Sequence, residues 1–242
     1  MNAPEADQVG SRVARLVQGG QLDQAYALLA PILAARTPFR LLDRIGAAVG
    51  AGPLETANAF LERIASGRTE GGWVVIATAL GQQLDRDLER ALERCRAWVV
   101  GADIWYATDI LGERVPGPAL CRYVEPTLAS LAPWREDANR WVRRTVGVAV
   151  HFWTKRSRGS PQLEDRAQAL LAFLEPMFEE RDLDAIKGVG WGLKTLGRHY
   201  PEMVTEWLAQ QSAQRRHPRA LMLRKALTYL SPEQRLRAME GG

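Results

Sequence analysis

Apolar residues recur at the helical spacing i, i+3, i+4, i+7 along almost the whole chain, and no segment alternates apolar and polar residues as a half-buried strand does. A chain patterned this way must bury helical stripes against other helices, so the expected fold class is all-α. The period predicts helices over 7–18, 22–35, 38–49, 53–66, 71–82, 85–100, 102–114, 117–131, 137–155, 161–179, 182–198, 201–213, 217–230 and 232–240. Breakers separate them: GAGP at 50–53, SGRTEGG at 66–72, VPGP at 115–118 and SRGSP at 157–161. Asp137, Asp182 and Ser231 suit helix N-caps, and Pro201 suits a first helical turn.

Short turns between such helices make antiparallel pairs, and a degenerate repeat runs through them. WVRRTVGVAV (141–150), IKGVGWGL (186–193) and LRKALTYL (223–230) each set a basic residue inside an otherwise apolar helix. The steps from Asp109 to Arg144, Arg144 to Lys187 and Lys187 to Lys225 are 35, 43 and 38 residues. Helix-pair repeats of the HEAT type run about 40 residues. The expectation is therefore one domain over 1–242, a curved right-handed solenoid of HEAT-like antiparallel helix pairs.

No run of this chain approaches the roughly 20 apolar residues of a membrane span, and MNAPEADQVG lacks the features of a signal peptide. Two cysteines, Cys95 and Cys121, make no disulfide framework, which points to a reducing cytoplasm. His151, His199 and His217 are scattered and no cluster has zinc-ligand spacing, so no metal site is expected. The net charge of +4 is mild, and 28 of the 32 basic residues are Arg, which a biased genome alone can produce. Placement says more. Residues 140–158 hold Arg140, Arg143, Arg144, Lys155, Arg156 and Arg158 and no acid. Residues 185–201 hold Lys187, Lys194 and Arg198, and 207–232 hold Arg215, Arg216, Arg219, Arg224 and Lys225, again without an acid. If these helices share the concave side of a solenoid, they form a basic track suited to duplex DNA. For any single Arg, capping a helix or pairing with a neighbouring acid is the plainer explanation.

Two further patterns carry chemistry. On a helix, Trp105, Thr108, Asp109 and Gly112 of IWYATDILGERV fall on one face, opposite Ile104, Ala107, Leu111 and Val115. Mid-helix Asp is unfavourable; it is either a structural ion-pair partner, Arg144 being a candidate, or a carboxylate kept ionised by nearby Arg. IKGVGWGLKTLG holds glycines 188, 190, 192 and 197, each costing about 1 kcal/mol against alanine inside a helix. Close approach of a neighbouring helix or of a ligand backbone beside Trp191 would compensate. Of eight tryptophans most belong in the core; Trp105 and Trp191 are the exceptions, beside charged and small residues.

IWYATDILGERV, NRWVRRTVGVAVHFW and DLDAIKGVGWGLKTLGRHYPEMVTEWL together resemble the DNA alkylation repair family of DNA glycosylases built from HEAT-like repeats. The resemblance spans 70–230; residues 1–66 look like divergent helix pairs. It rests on Trp-x-x-x-Asp at 105–109, Trp-x-x-Arg at 141–144 and Lys-x-x-x-Trp at 187–191 followed by His199-Tyr200-Pro201. It implies hydrolysis of the N-glycosidic bond of purines alkylated at N3 or N7, with no cofactor and no strand cleavage. Asp109 matches the catalytic Asp, which stabilises the cationic sugar and orients water. Trp105 and Trp191 match indoles that flank the sugar-phosphate, and Arg144 and Lys187 match phosphate contacts. Arg140, Arg143, Lys155, Lys194, Arg224 and Lys225 complete the expected DNA surface. The expected protein is a cytoplasmic monomer, nucleoid-associated when bound to DNA, with no membrane and no obligate protein partner. A non-catalytic HEAT-repeat DNA binder and a scaffold for an acidic protein are the alternatives.

Overall fold

A computed structural model describes residues 1–239, which are helical with short turns. The helices are α1 Ala3–Gln18, α2 Leu22–Ala34, α3 Phe39–Gly50, α4 Leu54–Ala65, α5 Glu70–Gln83, α6 Leu88–Ala102, α7 Trp105–Arg114, α8 Pro116–Arg122, α9 Val124–Leu131, α10 Arg140–Ser157, α11 Glu164–Leu174, α12 Leu183–His199, α13 Pro201–Ala213, α14 Ala220–Ala226 and α15 Pro232–Met239. Two compact units divide the chain, Met1–Val115 and a second beginning at Pro116. No described helix is long and apolar enough to cross a membrane.

Local chemistry sets the ends. Asn2 and Glu5 exchange side-chain and backbone bonds of 3.0 and 2.9 Å at the start of α1. Asp182 accepts from the amides of Asp184 and Ala185 at α12, and Ser231 and Gln234 cap α15 reciprocally. At α10 the cap is Asn139, which accepts from Trp141 N at 2.8 Å, rather than Asp137. Asp137 instead accepts from the Asn139 amide, one link earlier. Three expected helices are shorter because of proline. Continuing 117–131 through Pro126 would set its ring against the Arg122 carbonyl, so the chain breaks at Tyr123 into α8 and α9. Pro176 likewise ends α11 at Leu174, with a 3₁₀ turn following. The expected 217–230 helix is only α14, starting after Pro218.

Within each unit, helices two apart in sequence pack side by side. In the first unit α1, α3, α5 and α7 form one row, with α2, α4 and α6 behind. In the second, α8, α10, α12 and α14 form the row, and α13 packs with α15. Glycine sits where row neighbours cross. A Cβ on Gly46 or Gly50 would collide with the backbone of Val75 or Ala79 of α5. A Cβ on Gly147 of α10 would meet the Gly188 carbonyl of α12, and one on Gly188 would meet the Arg144 carbonyl and its Cγ. Such contact leaves no room for a methyl group.

Gly188→Ala should therefore cost about 3 kcal/mol or more, because a backbone rather than a flexible side chain must move. Gly101→Ala, with nothing within 4 Å of its Cβ position, should be neutral or stabilise by up to about 1 kcal/mol. Urea unfolding of the two variants checks this; equal costs would refute the crossing argument.

Candidate nucleic-acid interface

In the first unit the interest lies on α7. Asp103 takes a left-handed conformation (φ 48°) that ends α6, and Arg68 donates to the Gly101 and Ala102 carbonyls there at 3.2 and 2.7 Å. The chain then turns so that Trp105 is the first residue of α7. Its indole is 56% exposed and meets Tyr106 edge-on, with ring centres 5.9 Å apart. Asp109 lies one turn on, half-buried. At its far end Arg114 grips Asp43 of α3 through Nε and Nη2, and Thr78 of α5 donates to the same carboxylate at 2.7 Å. The sequence set Thr108 and Gly112 on the face of Trp105 and Asp109; both are buried, and the Thr108 hydroxyl donates to the Ile104 carbonyl. Of that face, Trp105 is exposed and Asp109 half-buried.

In the second unit the acid-free sequence stretches meet acids in space. Asp184, one residue before such a stretch, takes Lys187 at 2.9 Å and Arg140 at 3.8 Å. Arg140 also lies 4.9 Å over the Trp141 ring. Arg143, expected on the DNA surface, is instead part of the fold. Its Nε donates to Glu180 at 2.6 Å, both side chains are largely buried, and Nη1 donates to the Asp137 carbonyl. The guanidinium holds the Glu180 carboxyl below the usual range against the opposing effect of burial. Arg216 pairs with Glu179 at 3.0 Å. Arg144 is buried at 6% exposure, its Nη1 donating to the Asp184 carbonyl at 3.0 Å.

A different set of cations has no ion pair among the described residues: Lys155, Lys194, Arg198, Arg224 and Lys225. Lys225 lays its stem across Gly190 of α12, the space a side chain there would fill. Burial, then the like charges of Lys194, Arg144, Arg224 and Lys187, holds its pKa below the usual lysine value. Tyr229, 45% exposed, has Lys194 and Arg198 each 5.2 Å from its ring centre. Sequence placed Arg198 in the basic stretch 185–201 without giving it a contact of its own, and did not single out Tyr229, which follows Lys225 by four residues.

The four glycines around Trp191 serve helix packing, not a ligand backbone. Gly188 and Gly192 seat α10, Gly190 seats Lys225 and Gly197 seats Ala226. Trp191 itself is half-buried, while Trp73, Trp98, Trp134, Trp141, Trp153 and Trp207 are core. The His151 ring stacks on the Trp191 indole at 3.8 Å and 23°.

A family model described as "DNA alkylation repair enzyme" matches residues 54–230. The chain belongs to this family. The match begins at α4, sixteen residues earlier than the motifs alone indicate, so part of the stretch expected to diverge is family sequence. No curated protein and no solved structure gives a significant match. Membership accounts for an enzyme of DNA alkylation repair, with DNA as its partner.

Burial first, and Lys155 and His199 after it, lower the His151 pKa to about 4 from 6.5. The folded protein then binds fewer protons here than the unfolded chain between these values. The contribution is full above pH 6.5 and is lost as pH falls toward 4. The stability difference between wild type and His151→Phe should be flat from pH 7 to 8 and narrow from pH 6.5 to 4, read by urea midpoints. A difference independent of pH would remove His151 from the acid limb.

Proposed function

We propose that the protein is a monofunctional DNA glycosylase that releases N3- and N7-alkylated purines from duplex DNA. The observation that carries this is the exposed indole and half-buried carboxylate one turn apart on α7, in a chain of a DNA alkylation repair family. An alkylated purine of this kind is cationic and leaves with the electron pair of the C1′–N9 bond. The deoxyribose becomes oxocarbenium-like, and water adds its oxygen to C1′ and gives up a proton. The base needs little help to leave, so the useful protein group is an anion at the sugar. The Asp109 carboxylate stabilises that cation and orients the water. Trp105 and Trp191 pack against the sugar-phosphate, and Lys187 exchanges its pairing with Asp184 for a phosphate that the charge of the buried Arg144 also attracts. Lys225, Lys194, Arg224, Arg198 and Lys155 hold further phosphates. A phosphate beside Lys225 supplies the counter-charge that its surroundings lack. The helix pairs of each unit serve as HEAT-like repeats, and the protein acts as a monomer in the cytoplasm.

The test is single-turnover release of 7-methylguanine from duplex DNA. Asp109→Asn should lower the rate by about 100-fold or more while duplex affinity stays within about twofold, because the substitution removes charge at the sugar and not a phosphate contact. Release by the variant at the wild-type rate would contradict the role of Asp109. No release by either protein, with duplex binding intact, would favour the non-catalytic binder.

A further inference from the structure

The buried imidazole of His151 is a titratable group of the second unit that the proposed reaction leaves unused, and its contacts are specific. One turn along α10 from Gly147, and one and two turns along α12 from Gly188, the crossing helices bring His151 against Trp191 and Thr195. The two rings stack at 3.8 Å. His151 Nδ1 lies 2.7 Å from Thr195 Oγ1, and that hydroxyl donates to the Trp191 carbonyl at 2.9 Å. A hydroxyl has one hydrogen, and this one is committed to the carbonyl. Thr195 therefore accepts, and His151 carries its proton on Nδ1 and donates it. The imidazole is thus fixed in plane and tautomer by the residue that also bonds the backbone of Trp191. A closed loop results: indole to imidazole by stacking, imidazole to hydroxyl, hydroxyl back to the residue bearing the indole.

We infer that His151 is a positioning residue, which sets the plane in which the Trp191 indole meets the nucleotide backbone. This rests on the DNA-contacting role proposed for Trp191. An indole on an ordinary helix surface samples several rotamers and must be ordered when DNA arrives; one clamped on an imidazole is ordered beforehand. The ring must be aromatic and uncharged to lie flat on the indole without adding a buried cation, and burial keeps it neutral at physiological pH. Neither requirement applies to a residue that only fills space between α10 and α12, and this difference makes the inference testable.

The experiment is a double-substitution cycle with His151→Ala and Trp191→Ala, read on 7-methylguanine release and on duplex affinity, with the melting temperature of each protein measured alongside. His151→Ala should slow release about 3- to 10-fold, the range of an aromatic pair's contribution. In the Trp191→Ala background the same change should cost less than about twofold, since its effect passes through the missing indole. His151→Phe, which keeps the stack, should recover most of the rate, and His151→Leu, of similar bulk, should not. An equal loss from His151→Ala with and without Trp191, or equal recovery by Phe and Leu, would overturn the positioning role. Wild-type protein that releases no base would sink the glycosylase reading alone; the cycle on duplex affinity would then decide the role of His151.

Discussion

Backbone contact between row-neighbouring helices is the constraint on which the rest depends. Gly147 and Gly188 let α10 and α12 touch without side chains between them. Because the separation is fixed by main chain, groups on the facing sides have little freedom. Arg144 is laid across Gly188, Lys225 across Gly190, and His151 against Trp191. The glycines cost helix stability locally, and the packing they allow offsets it. The same device recurs in the first unit, where Gly46 and Gly50 of α3 seat α5 in the row that ends in α7.

Charge in the second unit is sorted by the 179–184 turn. Glu179, Glu180 and Asp184 take Arg216, Arg143, Lys187 and Arg140. Among the described cations without an ion pair are Lys155 on α10, Lys194 and Arg198 on α12, and Arg224 and Lys225 on α14, with the exposed Tyr229, in the turn after α14, beside Lys194 and Arg198. Gathering like charges without a carboxylate costs free energy that a bound polyanion returns. Many of the arginines are spent on structure. Arg86 bonds the Gly50 and Gly52 carbonyls, Arg135 the Phe173 carbonyl and Arg235 three carbonyls after α14, all at helix ends.

Periodicity made the helices legible, and proline decided where it misled. Pro126 and Pro176 break runs whose apolar spacing continues across them. The tryptophan partition was legible because Trp105 and Trp191 stand among charged and small residues while the other six stand in apolar stripes. The role of the glycines near Trp191 was not, since spacing along one helix cannot say what crosses it. Arg143 misled for a related reason. Its acid, Glu180, is 37 residues away in sequence and belongs to another element. His151 and Tyr229 carried no local signal; each matters through a ring or charge contributed by a different helix.

The most direct measurement is the salt dependence of duplex DNA affinity. The account predicts a steep fall of log K with log salt. Replacing Lys194, Arg198 or Lys225 by Gln should make the slope shallower by about 0.9 for each, the value for one phosphate contact, whereas Arg216→Gln should leave it unchanged. A wild-type slope near zero, or an equal loss from Arg216→Gln, would contradict the division between paired and uncompensated cations on which the DNA-binding account stands.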